Sequence, residues 1–339
     1  MKARLLDLAN VDWGALDAYP DRTVFQTREW LHFIAETQEA VPVIAELREG
    51  REVAGYFSGL TFHRFGIRML GSSFPGWTTP YIGFNLLSGA SCRAALAAVQ
   101  ELAFGDLKCL HLEVSDRHLS LEDGESLGFE HGFFRSYETD LGEPEERILN
   151  AMTGEGRRCV RRAAKNGVVV EEAHDVGFAD DYYHQLQDVF RRQKLVPTYG
   201  VERVRALIKH LLPTGNLLLL RARGPDNRCL ACAIYPGMNK LADFWGGSSY
   251  ADTHALRPNE ALHWYALCYW KRSGAEVFDW GGGGIYKERF GPRPIAIPWF
   301  YKSKFKLLGA LRSQAQQFAA ARQRLIGRLC HAPEPEVHA

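Results

Sequence analysis

No apolar run in this 339-residue chain reaches the ~18 residues that a membrane-crossing helix needs. The opening stretch MKARLLDLANVDWG also lacks the apolar core and small-residue cleavage site of a signal peptide, which predicts a cytoplasmic protein. Net charge is nearly absent too, since 41 lysines and arginines oppose 40 aspartates and glutamates. A chain balanced at +1 exerts no global pull on polyanions, so no DNA partner is expected and any attraction to RNA or anionic lipid must be local. The seven cysteines, at 92, 109, 159, 229, 232, 268 and 330, are odd in number and scattered, unlike a secreted disulfide framework. Only Cys229 and Cys232 form a C-x-x-C, and the surrounding RCLACAIY reads as a strand, in which residues three apart point to opposite faces. With no second pair, and with twelve histidines that form no H-E-x-x-H, no metal site is expected.

What the chain does have is the balance of a globular protein, 46% hydrophobic and 24% charged, at a length that suits two domains of roughly 150 residues. It also repeats itself. The first copy runs VPVIAELREGREVAGYFSGLTFHRFGIRMLGSSF, a loop PGWTTPY, helical CRAALAAVQELAF and strand-like KCLHLEV. The second runs NLLLLRARGPDNRCLACAIYPGMNKLADFWGGSSY, a loop ADTHALRPN, helical EALHWYALCYWKR and strand-like AEVFDWGG. Each is strand, polar turn, strand, strand ending in G-S-S, loop, helix, strand. Arg48-Glu49-Gly50 and Gly224-Pro225-Asp226-Asn227 punctuate the two hairpins. Helical periodicity precedes each, in TREWLHFIAET for the first and in FADDYYHQLQDVFRRQ and VERVRALIKHLL for the second. This order predicts an α+β architecture with mixed sheets rather than a doubly wound one. Its parts would be a first domain over 1–145, a second over 146–301, a basic amphipathic helix over 302–329 and a disordered tail over 330–339.

Two basic stretches stand out. Helical spacing places Arg158, Arg161, Arg162 and Lys165 on nearly one face, either a solvated face or a cradle for a phosphate-bearing substrate. In the C-terminal segment Lys302, Lys304, Lys306, Arg312, Arg322, Arg324 and Arg328 accompany no acidic residue. Such a helix either docks on the body or meets RNA or the anionic inner face of a membrane.

Between them lies FDWGGGGIYKERFG, residues 278–291, where glycines join a strand-like run to Tyr286, Lys287, Arg289 and Phe290. Glycine permits close backbone approach, so the stretch reads as a phosphate loop, a flexible lid or a structural seam. The repeat favours the seam. It puts the glycines at the end of a strand whose counterpart, HLEV, leads into SDRHLSLEDG without a glycine run or a Tyr-Lys pair, which assigns chemistry to the second copy alone.

VFQTREW at 24–30, RRCVRRAAKNGVVV at 157–170, GGSSY…RPNEALHWYALCYWKRSGAEVFDWGG at 246–282 and IYKERFG at 285–291, with the twofold pattern, resemble the FemAB-like (BioF2-like) acyltransferases, which carry two tandem GNAT domains. The resemblance implies transfer of an activated acyl group, commonly an amino acid carried on tRNA, to an amine of a peptide or sugar-linked acceptor, as in peptidoglycan and other cell-envelope biosynthesis. It implies a donor as co-substrate and no tightly bound cofactor. Tyr286-Lys287 matches the family's Phe-Lys pair, with Lys287 neutralising the developing oxyanion or the carrier's terminal phosphate. Asp279, at the strand end, either accepts the amine proton or caps the turn. In a GNAT fold two parallel strands splay to expose backbone to substrate, and Gly246, Gly247 and Ser248 with Gly281 and Gly282 stand at the ends of the strands concerned. The basic stretch from Arg158 to Lys165 would hold carrier phosphates, and Arg192 and Tyr199 would face the cleft. CoA-dependent members usually carry R/Q-x-x-G-x-G/A at a helix N-terminus, whereas SSYADTHALRPNEA contains no glycine, which favours aminoacyl-tRNA over acyl-CoA. The alternatives are an acyl-CoA-dependent N-acyltransferase of polysaccharide or metabolite assembly, and a non-catalytic module that docks on RNA or membrane.

Overall fold

The computed structural model describes residues 1–305 except 65 and 75. The first half comprises β1 (Lys2–Leu5), α1 (Trp13–Asp17), α2 (Arg28–Gln38), β2 (Val41–Glu49), β3 (Glu52–Arg64), β4 (Ile67–Gly71), β5 (Gly83–Leu86), α3 (Cys92–Glu101), β6 (His111–Ser115), α4 (Leu121–Glu125) and β7 (Glu130–Asp140). The second comprises α5 (Glu145–Ala151), α6 (Gly154–Lys165), β8 (Val169–Glu172), α7 (Phe178–Arg192), α8 (Val201–Leu211), β9 (Leu217–Arg223), β10 (Cys229–Met238), β11 (Leu241–Asp243), β12 (Gly246–Ser249), α9 (Pro258–Arg272), β13 (Val277–Asp279) and β14 (Arg293–Ser303). No helix among the described residues is long and apolar enough to cross a membrane.

The repeat is realised strand for strand. Antiparallel β2–β3–β4 matches β9–β10–β11, and each meander is followed by a helix and a strand that returns parallel to its last member, β6 beside β4 and β13 beside β11. The echo runs further than the sequence suggests. The G-S-S run of the second copy does not prolong β11 but breaks from it at Asp243 and resumes as β12, antiparallel to β10, while β5 takes the same place against β3. Each half therefore opens beside its parallel pair.

The halves are joined by an exchange of strands. β7, at the end of the first half, pairs with β13 of the second, and β14, at the end of the second, fills the space between β6 and β7. One sheet results, in the order β1-β2-β3-β4-β6-β14-β7-β13-β11-β10-β9-β8. Lys302 and Ser303 thus close a strand rather than open the expected helix. The strand pairing carries Lys302 and Ser303 beside Leu112 and His111, and on the face that Lys302 shares with the fully buried Phe300 its ammonium reaches Gln100 Oε1 at 2.8 Å and the Leu127 carbonyl. The rest of the basic helix and the 330–339 tail lie outside the described residues. α3 covers the first half of the sheet around Leu96 and Val99, and α9 covers the second around Leu262 and Leu267. A third core, with Trp30 and Phe33 of α2 and Val204 and Leu207 of α8, binds the halves together.

The cysteine pair departs from expectation. A bulge in β10 between Cys229 and Ala231 interrupts the strict alternation, and the two sulfurs lie 3.5 Å apart instead of on opposite faces.

Candidate active site

β11 and β13 end side by side, with Asp243 in register with Asp279. Both carboxyls are buried, and burial pushes both above the usual range, Asp243 the further because hydrogen bonds from Ser136 and Gly281 and the Arg117 charge hold Asp279 down. Their surroundings differ. Asp279 Oδ1 accepts from the Ser136 hydroxyl at 2.5 Å and from the Gly281 amide at 2.9 Å, and Oδ2 accepts from the Tyr81 hydroxyl at 3.1 Å with an Arg117 nitrogen at 3.5 Å. Asp279 is thus built as a cap, its oxygens spoken for. Asp243 Oδ2 has no hydrogen-bond partner among the described residues.

Ser136, Tyr81 and Arg117 all come from the first half. Arg117 also grips Glu138, which pairs in turn with Arg293 at 3.0 Å. The VFQTREW stretch explains how the Tyr81 side is fixed. Gln26 donates to the Ile82 carbonyl at 2.7 Å, Thr27 caps α2 at the Trp30 amide, and the Trp30 indole donates to Thr79 at 3.1 Å. These residues hold the 76–82 loop against α2.

Beyond Asp279 the glycine run turns sharply. Gly281 has φ +64°, and a Cβ there would stand 2.2 Å from the Phe244 carbonyl oxygen, so glycine lets the chain pass against the end of β11. Lys287, in the 3-10 turn Ile285–Phe290, reaches back into this bend and is only 3% exposed. Its ammonium donates to the carbonyls of Trp280, Gly281 at 3.3 Å and Gly282 at 3.1 Å. Three donors meet three acceptors, and the ammonium also sits 5.2 Å from the Phe244 ring centre. Burial pulls its pKa down to about 8, against the pull of Asp243 and Asp279.

Two cavities meet at Phe244, which lines both. One, of about 490 Å³, lies beside β12 and contains Arg192, Gly247, Ser248 and Tyr286. Sequence reasoning missed its other polar walls, His254, Arg257, Glu260, His263 and Arg289, although Arg289 lies within IYKERFG. Arg257 is the left-handed residue before α9, Pro258 opens the helix without an N–H, and Glu260 in its first turn accepts from Arg289 at 2.7 Å. His263 is buried against Tyr235, and desolvation drives its pKa down to about 3, so it stays neutral. The other cavity, of about 400 Å³, opens between the halves and includes Gly281 and Asp243.

The remaining residues are placed elsewhere. Gly246 starts β12 under the Tyr182 hydroxyl. Tyr199 bonds to that same hydroxyl at 3.1 Å and packs on Trp245, outside the β12 cavity. Arg158, Arg161, Arg162 and Lys165 are exposed on α6 and line no part of that cavity, though Asn166 at the end of α6 bonds the carbonyls of Ala255 and Leu256 in the loop bordering it.

Residues 154–290 match the family described as an acetyltransferase (GNAT) domain, a span from α6 through the Lys287 turn. No curated protein sequence matches the chain. Among solved structures, FemX superposes with a TM-score of 0.71 at 13% identity, over 88% of this chain and 97% of its own. A tandem GNAT protein from the clavulanic acid biosynthesis pathway gives 0.52 at 10% identity, over 89% and 98%. The C-terminal domain of a putative lysylphosphatidylglycerol synthetase from Agrobacterium fabrum gives 0.50 at 11%, over 73% and 81%. Likeness at such identities is likeness of fold, and the similarity to an acetyltransferase domain is confined to residues 154–290. Residues 154–290 are thus similar to a GNAT acetyltransferase domain, in a chain whose fold is like that of FemX and of a tandem GNAT protein.

Proposed function

We propose that the chain transfers an aminoacyl group from charged tRNA to an amine, with the donor's acyl end in the β12 cavity and the acceptor arriving from the cavity between the halves. The observation that carries this is Lys287, a buried ammonium beside Phe244, where the two cavities abut. The amine nitrogen attacks the ester carbonyl, a tetrahedral oxyanion forms, and its collapse breaks the ester C–O bond and frees the tRNA hydroxyl, with one amine proton passing to that oxygen or to solvent. A fixed cation in a low-dielectric site stabilises such an oxyanion strongly. The longest Lys287 bond, to the Gly281 carbonyl at 3.3 Å, is the one an incoming oxygen can replace.

The first turn of α9 supports the donor choice. A pyrophosphate there would gain no amide from Pro258 and would meet the buried carboxylate of Glu260. A CoA donor keeps one point in its favour, the guanidiniums of Arg192, Arg257 and Arg289 in the same cavity. A charged-tRNA donor also places the reaction in the cytoplasm, with the exposed α6 cations beside the cavity as a phosphate track.

Thermal shifts with aminoacyl-tRNA, deacylated tRNA, acetyl-CoA and a long-chain acyl-CoA decide between donors, because a ligand that binds only the folded state raises Tm. Stabilisation by aminoacyl-tRNA but by neither CoA ester is expected. A clear response to a CoA ester overturns the donor assignment.

A further inference from the structure

The cavity between the halves carries a recognition chemistry of its own. Its walls include Phe74, Phe133, Phe134, Trp245 and Trp299, and Phe133 is 44% exposed for so large an apolar side chain. Two polar atoms on its lining residues, Asp243 Oδ2 and the Trp245 indole Nε1, are shielded from solvent without a hydrogen-bond partner among the described residues. Asp243 is 2% exposed. Unsatisfied buried polar atoms are uncommon and call for a reason. One is an acceptor and the other a donor. None of the described residues lining the cavity is a lysine, arginine or histidine, so it offers a phosphate no counter-charge.

We propose that this cavity selects the acceptor as a primary amine on an aromatic body that also bears a carbonyl, with the ammonium received by Asp243 Oδ2 and the carbonyl oxygen by Trp245 Nε1. The inference rests on the acyl-transfer reading for the word acceptor, but the recognition does not depend on which donor is used. Aromatic faces favour a cation and a flat ring alike. Burial and the neighbouring Asp279 penalise the Asp243 anion, and an incoming ammonium relieves that penalty. Asp243 rather than Asp279 takes the amine because the Asp279 oxygens are already occupied by Ser136, Gly281 and Tyr81. The loop that forms one wall is pinned from the second half, where the Arg203 guanidinium donates to the carbonyls of Gly76 at 3.3 Å and Trp77.

The test is calorimetric titration of the full chain with L-phenylalaninamide, N-acetyl-L-phenylalaninamide, phenethylamine and uridine diphosphate. L-Phenylalaninamide should bind at least about tenfold more tightly than its N-acetyl form, as expected when a buried charge pair is lost. Asp243→Asn should erase that difference, and Trp245→Phe should erase the preference for L-phenylalaninamide over phenethylamine. The wild-type comparison of probes needs no variant, so a variant that fails to fold does not remove the test. Equal binding of the amine and its N-acetyl form, absence of binding at millimolar concentration, or displacement of L-phenylalaninamide by uridine diphosphate overturns the proposal. None of these outcomes bears on the donor, which the thermal shifts decide separately.

Discussion

Adjacent glycines separate a seam from a flexible lid. Gly281 and Gly282 both hold positive φ, +64° and +90°, so alanine at either strains the backbone by about 1–2 kcal/mol. Their surroundings differ sharply. A Cβ at Gly282 meets nothing nearer than Phe134 Cζ at 4.0 Å, whereas a Cβ at Gly281 falls 2.2 Å from the Phe244 carbonyl oxygen. That oxygen belongs to the backbone linking β11 to β12, so relief requires the ends of the parallel pair to part, against the bond from the Phe244 amide to the Asp279 carbonyl at 2.8 Å. Overpacking of this kind adds about 1–3 kcal/mol to the strain. Gly282→Ala should therefore cost about 1–2 kcal/mol and Gly281→Ala about 2–5 kcal/mol, read from urea unfolding curves followed by far-UV circular dichroism at unchanged m-value. Equal losses in the two variants, or a loss below about 1 kcal/mol for Gly281→Ala, would show that the run yields freely and would refute the seam.

Lys287 links activity and stability to pH in opposite senses. If its ammonium stabilises the oxyanion, turnover falls as pH rises through about 8, and a rate still climbing beyond that point refutes the role. Because its folded pKa lies below the ordinary 10.5, the unfolded chain binds this proton more readily between about 8 and 10.5, so the Lys287 contribution to stability rises with pH across that window. The total is about 3 kcal/mol, and it should appear as the pH-dependent part of the difference between wild type and Lys287→Met, whose own stability lacks it. In the β12 cavity, Arg289→Ala leaves the buried Glu260 carboxylate with only Arg257, at 3.8 Å, and should cost about 2 kcal/mol. Adding Glu260→Gln should recover most of that, and additive losses in a double-mutant cycle would show that the two side chains act apart.

Sequence pattern exposed the tandem architecture because each meander-helix-strand unit is written in short-range periodicity. The strand exchange was not legible, since nothing in RPIAIPWFYKS says that β14 pairs with residues nearly 200 positions earlier rather than within its own half. Helical spacing grouped the α6 cations on one face, but spacing alone says nothing of what that face meets; the four are exposed and line no part of the β12 cavity. Tyr199, expected on the second half's side of the cleft, packs its ring on Trp245, which lines the cavity between the halves. Asp243 carried no motif. Its significance appears only once β11 and β13 are in register and Asp279, its partner across the pair, proves to be fully hydrogen-bonded from the other half. The C-x-x-C was misread for a related reason, because a bulge breaks the alternation on which facing arguments rest.

The exchange of strands gives the first half its part in building the candidate site. It has no glycine run and no lysine at the matching place, and in its own parallel pair Glu113 stands opposite Gly71 rather than opposite an aspartate. Yet it supplies Ser136 from β7, the strand beside β13, and Tyr81 and Arg117 from the loops after β4 and β6, and with them every side chain bound to Asp279. A second half cut away at residue 145 would lose β7 from the edge of β13, bare that edge to water and leave the Asp279 carboxylate with only the Gly281 amide. The Asp279 cap, the bend that Lys287 holds and the wall of the cavity between the halves then fall together, so the two copies form a single structural unit although only one carries the Tyr-Lys pair.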